Sequence, residues 1–191
     1  GSFFLPQIAI IHHFNENWGI RGGVGLGYKV PNALSPSVYD YPLEKLLPIN
    51  TFTTKAEKSV GYNLEFNYKL DFEGDDKNEK NSIFINQAFF LTQINNPVTG
   101  NFDGSGNIFF KNENSPVVSK GFDTYIKATI DEWELYVGYT FTVAENKYLK
   151  NNQFIPLTPK NRFAMTALKE LKTWKAGIEA SYTGKQHRLD N

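Results

Sequence analysis

Hydrophobic and polar residues alternate along several long segments of the chain. From Val60 to Phe72 every second residue is apolar or aromatic, and the residues between are glycine or polar. Because successive side chains of a strand point to opposite faces, the alternation predicts a strand with one hydrophobic and one polar face. The segment is about twice the usual strand length. It is long enough for a tilted membrane crossing, which takes about 9–11 residues.

The pattern predicts eight strands in all, although the alternation is weaker in the fourth. The predicted strands are Phe4–Phe14, Trp18–Val30, Val60–Phe72, Ser82–Asn95, Phe122–Ile130, Trp133–Val143, Arg162–Leu171 and Trp174–Thr183. No segment with a helical period competes with them, and no run of 18 apolar residues predicts a transmembrane helix.

The connections between these strands alternate between short and long. The short turns are Asn15–Asn17, Glu73–Asn81, Asp131–Glu132 and Lys172–Thr173. The long loops are Pro31–Ser59, Asn96–Gly121, Ala144–Asn161 and the residues from Gly184 onward. In an up-and-down arrangement, the short turns would all lie on one rim and the long loops on the other. Transmembrane barrels have this arrangement, with short periplasmic turns and long external loops.

Aromatic residues occur at both ends of the predicted strands. Trp18, Trp133 and Trp174 each begin a strand directly after a short turn, on its apolar face. Amphipathic rings at one level are typical of a membrane interface. A second girdle is predicted near the opposite strand ends, from Tyr28, Tyr62, Phe141 and Tyr182.

Composition excludes several classes of protein. The 191 residues suffice for one domain, and 20 basic residues balance 20 acidic ones, so no basic surplus indicates nucleic acid. There is no cysteine for a disulfide frame or a thiolate metal site. His12 and His13 are adjacent, so on a strand they point to opposite faces and cannot hold one metal together. We predict no catalytic residues, no metal site, no cofactor and no enzymatic activity.

Alternation alone does not say which face lies outside. A soluble lipocalin-like barrel also has eight strands, with its apolar face turned inward around a ligand. In that alternative the ligand would be surrounded by Leu64, Phe66, Tyr68, Val137 and Tyr139. A small, self-contained outer-membrane barrel with an adhesive or structural role is a further alternative. Strand length, loop alternation and the tryptophan positions favour a membrane barrel.

Several segments resemble the barrel of a TonB-dependent outer-membrane receptor, of the type abundant in Bacteroidetes. They occur in the family's order and extend over nearly the whole chain, and Leu157–Arg162, which reads Leu-Thr-Pro-Lys-Asn-Arg, is the most specific. The segments that carry the resemblance are Leu5–Ala9, Arg21–Pro31, Glu57–Asn63, Thr92–Pro97, Gly121–Asp123, Tyr139–Thr142, Pro156–Arg162 and Tyr182–Gln186.

This resemblance implies an all-β fold, an antiparallel up-and-down transmembrane β-barrel. The eight strands would be part of a larger barrel of about 22 strands. Residues 1–191 would form a single barrel segment, without the plug domain and the terminal strands. The implied function is energy-coupled uptake of a scarce nutrient, such as a ferric chelate, haem or cobalamin, in the bacterial outer membrane. The implied partners are outer-membrane lipid, the plug domain, an inner-membrane TonB-type protein reached through the missing N-terminal part, and the small-molecule nutrient.

Two sets of site residues follow. The polar faces of the strands predict lumen-facing side chains, paired with each other or with a plug, at Arg21, Asn63, Glu65, Asn67, Lys127, Glu134, Lys175 and Glu179. The loop Pro31–Ser59 is the candidate surface for capturing the ligand, through Tyr39, Tyr41 and Phe52. For the glycines of Gly22–Gly27, the pattern favours close packing and strand curvature over space for a plug.

Overall fold

The computed structural model describes residues 4–30, 43–50, 54–73, 80–151 and 153–186. Ten strands are present in them: β1 Gln7–His13, β2 Trp18–Lys29, β3 Glu57–Glu73, β4 Lys80–Asn95, β5 Val98–Phe102, β6 Ile108–Asn112, β7 Val117–Ile130, β8 Trp133–Asn146, β9 Asn161–Leu171 and β10 Trp174–Thr183. Leu43–Lys45 forms one 3-10 turn. Over these ranges, no helix has the length and apolar character needed to span a membrane.

Eight strands form one antiparallel sheet in the order β1-β2-β3-β4-β7-β8-β9-β10. Each strand of this sheet pairs with the next one along the chain, except that the β5-β6 hairpin is inserted between β4 and β7. The predicted all-β, up-and-down arrangement of eight strands is confirmed. Within the described ranges, β1 and β10 are edge strands, so the sheet is an open segment rather than a closed barrel.

The structure differs from the prediction mainly at the rim with the long loops. The hairpin was not predicted and lies inside the expected loop Asn96–Gly121. β7 begins at Val117 and β8 continues to Asn146, because these two residues pair and extend the ladder beyond the alternating pattern. β1 is shorter than expected and begins at Gln7.

The sheet is a single layer without a hydrophobic core. Among the described residues, the buried hydrophobic side chains are Ile108 and Ala144. Leu64 and Phe66 are 40% and 37% exposed, whereas the side chain of Glu65 between them is only 23% exposed. The soluble alternative needs Leu64 and Phe66 in a dry centre, and this arrangement contradicts it.

The register keeps the two faces separate across all the strands that it joins. One row of paired residues runs across seven strands as Trp18, Tyr68, Ile85, Ile126, Val137, Met165 and Ala180. All of them are apolar or aromatic. A one-residue slip of any strand would exchange its two faces, so this row fixes one continuous apolar face, called the outer face below. The opposite, polar face is called the inner face.

Candidate functional site

The three tryptophans lie on a straight line across the outer face. The row of paired residues that contains Trp18 reaches β8 at Val137 and β10 at Ala180. Trp133 lies four residues from Val137 toward the short turns, and Trp174 lies six residues from Ala180 in the same direction. Their strands, β8 and β10, are four and six positions from β2 in the sheet. The line therefore descends by one residue per strand, and it is called the tryptophan level below.

That slope corresponds to a strand tilt. With a rise of about 3.3 Å per residue and a strand spacing of about 4.8 Å, one residue per strand gives a tilt of about 35°. Transmembrane barrels have strands tilted by about 35–45°. The three rings thus reach one height when the strands have the tilt that is usual in a membrane barrel.

The second aromatic level lies at a matching distance. Phe141 and Tyr182 follow the tryptophan of their own strand by eight residues, and Tyr28 follows Trp18 by ten. At the tilt above, these separations correspond to about 22–27 Å along the barrel axis. The apolar band of membrane barrels is about 25 Å tall. The outer face between the two levels is called the apolar band below.

The register places all eight predicted lumen residues on the inner face, and four of them lie together on β2 and β3. Arg21 is paired with Glu65, with 3.9 Å between Nη1 and Oε2. Asn63 donates from Nδ2 to Glu65 Oε1 at 3.1 Å. Asn86 donates from Nδ2 to Asn67 Oδ1 at 2.8 Å. These contacts compensate the charge of Glu65 and pair the amide groups of Asn67 and Asn86.

A second polar cluster lies nearer the short turns, centred on Glu134. The Tyr136 hydroxyl donates to Glu134 Oε2 at 2.6 Å, and Lys175 Nζ lies 3.4 Å from Glu134 Oε1. Lys127 Nζ lies 5.3 Å from the centre of the Tyr136 ring, within cation–π range. Lys127, Glu134 and Lys175 are thus brought together. Glu179 belongs to the register row of Lys127 and Tyr136, opposite Thr166.

Sequence reasoning missed three inner-face aromatic residues, Phe84, Phe90 and Tyr125. The rings of Phe84 and Tyr125 have centroids 6.3 Å apart, and the Phe90 ring lies over Gly121, where an added Cβ would be 2.8 Å from Phe90 Cζ. The weaker alternation of the fourth predicted strand was the signal for Phe84 and Phe90, because that strand carries aromatic residues on both faces. Tyr125 lies on the polar face of the next predicted strand.

The glycine run supports the close-packing interpretation at two positions. A Cβ at Gly23 would collide with Asn63 Oδ1, and one at Gly27 would lie 2.5 Å from Ser59 Oγ. The space over these two glycines is therefore already used by the polar side chains of β3.

The predicted ligand residues Tyr39, Tyr41 and Phe52 lie outside the described residues. The described parts of the same loop pack against the β5-β6 hairpin. Leu46 forms a parallel bridge with Ile108, the Leu47 N–H donates to the Ile108 carbonyl at 2.9 Å, and Ile108 is fully buried. The two external loops therefore share a small apolar contact.

Polar bonds fasten the hairpin at its base. Asn112 donates from Nδ2 to the carbonyls of Asn96 at 2.7 Å and Lys55 at 3.0 Å, and its Oδ1 accepts from the Lys55 N–H at 2.7 Å. The Val98 N–H donates to Glu57 Oε1 at 2.7 Å. Phe102 and Phe109 of the hairpin remain 64% and 37% exposed.

The hairpin turn is organised by Asp103. Its Oδ1 accepts the N–H groups of Ser105 and Asn107, both at 2.8 Å, and its Oδ2 accepts Asn107 Nδ2 at 3.1 Å. These bonds, those from Asn107 first, hold the pKa of Asp103 below its usual value. Gly106 has φ of 79°, which glycine adopts without strain. The run Asp-Gly-Ser-Gly-Asn between two apolar segments was the sequence signal for this hairpin.

The chemistry of the inner face is that of binding and positioning. Its groups are carboxylates, ammonium groups, amides and phenols, which hold polar solutes or protein segments through hydrogen bonds. Across the described ranges there is no group of three or more His, Cys, Asp or Glu able to hold a metal ion.

Residues 1–191 match the family model described as TonB dependent receptor-like, beta-barrel. A similar solved structure is a double mutant of the Serratia marcescens hemophore receptor HasR, in complex with its hemophore HasA and heme. The TM-score is 0.71 at 16% identity, over 96% of this chain and 32% of that chain, so the likeness concerns the fold, and this chain spans about a third of that receptor's length. No curated protein matches. Since the family match extends over its whole length, this chain belongs to the TonB-dependent receptor-like β-barrels.

Proposed function

We propose that the chain is a barrel segment of a bacterial outer-membrane receptor for energy-coupled uptake of a scarce nutrient. The observation that carries this proposal is the tryptophan level on a continuous apolar face, on which Leu64 and Phe66 remain 40% and 37% exposed. An apolar surface of this extent associates or aggregates in water. In the hydrocarbon of a bilayer, the same apolar surface contacts lipid chains instead of water. Family membership supports the same function.

The open sheet supports a larger barrel. Within the part of the chain that the structure describes, the outer edges of β1 and β10 have no neighbouring strand, and unpaired backbone groups are costly in lipid. We therefore propose that further strands of the same receptor pair with both edges, that residues 1–191 form a single segment of the barrel, and that the plug domain and terminal strands lie elsewhere in the receptor. The coverage of the hemophore receptor, 32% of that chain, is consistent with a segment of this size.

The inner face would enclose the plug domain and the solute route. Its ion pairs keep charges compensated while their side chains stay partly open, at 47% for Arg21 and 23% for Glu65. Such groups suit an aqueous interior or hydrogen bonds to a plug. The barrel's role is then passive, and a TonB-type protein of the inner membrane would supply the energy through the N-terminal part of the receptor.

The ligand would first be captured at the external loops. Tyr39, Tyr41 and Phe52 stay the proposed contact residues, and the hairpin extends the same surface with the exposed Phe102 and Phe109. The buried Ile108 joins the two loops, which supports one combined surface. We propose a ferric chelate, haem or cobalamin as the ligand class; in the structural neighbour, the receptor is complexed with a hemophore and heme.

The test uses cells that lack the full-length receptor. They should lose growth when one of a ferric chelate, haem or cobalamin is the limiting source, and the wild-type gene should restore it. Tyr39→Ala with Tyr41→Ala, and separately Phe102→Ala with Phe109→Ala, should each weaken ligand binding at least about tenfold, because aromatic anchors dominate binding surfaces.

The matched control is Leu149→Ala with Leu157→Ala, which removes exposed apolar side chains (39% and 67%) from a different loop. Its ligand affinity should stay at the wild-type value. Unchanged uptake of all three nutrients in the deletion strain would contradict the proposed function. Unchanged affinity in both aromatic variants would contradict only the assignment of the capture surface.

A further inference from the structure

A recess of about 320 Å³ lies on the inner face, across β8, β9 and β10. The register forms it from two neighbouring rows: Arg162 stands between two threonines in one, and Ala164 stands between a glycine and a serine in the other. We call it the Arg162 recess. The inner-face residues that line it are Gly138, Thr140, Arg162, Ala164, Ser181 and Thr183.

The recess is open because the row next to Arg162 carries only small side chains. Beyond its chain neighbours, a Cβ added at Gly138 would meet nothing closer than the Ala164 carbonyl oxygen, at 4.0 Å. The following row toward the short turns holds the larger Tyr136 and Glu179. A solute group can therefore enter between these two residues and the guanidinium of Arg162.

The Arg162 side chain differs from other cations of the inner face in its partners. Arg21 lies 3.9 Å from Glu65, and Lys175 lies 3.4 Å from Glu134. Arg162, by contrast, forms no ion pair or side-chain hydrogen bond with any residue that the structure describes. Its five N–H donors are thus available to a ligand.

The donors of the recess suit a carboxylate. The planar guanidinium matches the two oxygens of a carboxylate with paired N–H groups, and the hydroxyls of Thr140, Ser181 and Thr183 are further donors. One guanidinium compensates one negative charge, whereas a phosphate monoester carries about −1.5 to −2. Asp123, opposite Thr140, and Glu179, two residues from Ser181, further disfavour a second negative charge.

The recess lies at the height where a solute would enter the lumen. Trp133 is opposite Lys169, so at one residue per strand the tryptophan level meets β9 at Glu170. Arg162 lies eight residues above that level, which is about 22 Å at the tilt derived above. This is the height of the second aromatic level, on the side of the long loops.

We propose that the Arg162 recess binds a free carboxylate of the transported solute on its way from the external loops into the lumen. The solute class is then narrowed to haem, which carries propionates, or a carboxylate-based ferric chelate. Cobalamin, whose peripheral chains end in amides, does not fit. The proposal rests on the proposed function, because it requires the inner face to border the solute route.

The experiment titrates the full-length receptor, purified in mild detergent, with haem, ferric citrate and cyanocobalamin. The first two probes carry free carboxylates, and the third carries none. The wild type should bind haem or ferric citrate at least tenfold more tightly than cyanocobalamin. Arg162→Gln should lower that affinity at least tenfold, and Arg162→Lys should lower it less, because lysine keeps the charge without the planar fork.

Two further variants separate the recess from a general effect of charge or folding. Gly138→Leu keeps the guanidinium but fills the recess, and it should also lower the affinity at least tenfold. Lys169→Gln is the matched control, since it removes the same charge from the outer face of the same strand, opposite Trp133, and it should bind as the wild type does. In urea titration, Arg162→Gln should unfold as the wild type does, because its side chain has no partner among the described residues.

Equal affinity of the wild type and Arg162→Gln for the bound probe would overturn the proposal, and so would a preference for cyanocobalamin. Displacement of the probe by an equal concentration of inorganic phosphate would also overturn it, because the recess would then be a site for soluble anions. If Arg162→Gln destabilises the receptor and leaves the affinity unchanged, the carboxylate belongs to the plug domain and the solute assignment is wrong. A wild type that takes up none of the three nutrients contradicts the proposed function, whereas uptake with unchanged affinity in Arg162→Gln contradicts only the recess.

Discussion

The two faces of the sheet are built by alternate residues of the same strands, yet their contacts differ in kind. On the inner face, Glu65 pairs with Arg21 and accepts from Asn63. On the outer face, its neighbours Leu64 and Phe66 remain exposed. In a protein folded in water, side chains such as Leu64 and Phe66 would be covered, because burial of apolar area drives folding. The contrast indicates that this sheet is arranged for lipid on one side and polar groups on the other.

Ring contacts dominate the middle of the outer face. Phe89 lies between Phe66 and Phe122, with centroid distances of 6.5 Å and 6.3 Å, and Phe122 stacks on Phe141 at 5.6 Å. Such pairs gain dispersion energy without needing a polar solvent. The inner face instead depends on hydrogen bonds and ion pairs.

The largest expected effect comes from a charge placed on the outer face. Leu64 lies five residues, about 14 Å, above the tryptophan level, near the middle of the apolar band. Leu64→Arg should therefore lower the free energy of unfolding by about 2–4 kcal/mol, measured by urea titration of the receptor in bilayers. Thr166→Arg is the control, since it has similar depth but faces Glu179 on the inner face and should cost less than about 1 kcal/mol. Equal costs for the two would erase the distinction between the faces.

A smaller effect is expected from packing on the inner face. A Cβ at Gly121 would collide with the Phe141 carbonyl oxygen and lie 2.8 Å from Phe90 Cζ. Gly121→Ala should thus destabilise the receptor by about 1–3 kcal/mol in the same titration. Gly61→Ala is the matched control: its Cβ would be 3.7 Å from Thr92 Oγ1, and it should stay within about 0.5 kcal/mol of wild type. A harmless Gly121→Ala would contradict the close approach of Phe90 and β8.

A hydrogen-bonded pair of polar side chains on the outer face tests whether water reaches that face. Thr124 Oγ1 donates to Gln87 Oε1 at 2.7 Å, in the register row of Phe66 and Tyr139. In hydrocarbon, Thr124→Val should cost about 0.6–1.7 kcal/mol, because the Gln87 oxygen loses its donor. Adding Gln87→Leu should recover most of this loss. If water reached the site, the single variant would be nearly neutral, and urea titrations of both variants distinguish the outcomes.

The smallest effect is local and concerns the hairpin outside both faces. Because its hydrogen bonds lower the pKa of Asp103 in the folded turn, the stability contributed by its carboxylate is present above the ordinary aspartate value of about 3.9. It is lost as pH falls below that value, through the lowered pKa. Hydrogen exchange of the Ser105 and Asn107 amides, corrected for intrinsic rates, should show constant protection at pH 7 and pH 5 and a loss in stronger acid. Asp103→Ala should remove the protection at every pH, and a pH-dependent loss already at pH 5 would contradict the assignment.

Much of the sheet could be predicted because its signals are local. The alternation in Val60–Phe72 and the turn residues at Asp131–Glu132 each require only neighbouring positions. The β5-β6 hairpin was missed although its turn is also local, because two five-residue strands inside a long loop give a weak period. The contact of Ile108 with Leu46 could not be predicted, since it joins residues far apart in the chain.

The amino-acid sequence alone established which residues share a face, because a strand's side chains repeat every two residues whatever its partners are. It also determined that Trp18, Trp133 and Trp174 begin their strands. The stagger that brings these rings to one level arises only from the pairing of the strands in the folded sheet. Register is set by hydrogen bonds between separate strands, so the tilt and the tryptophan level exist only once the strands have paired.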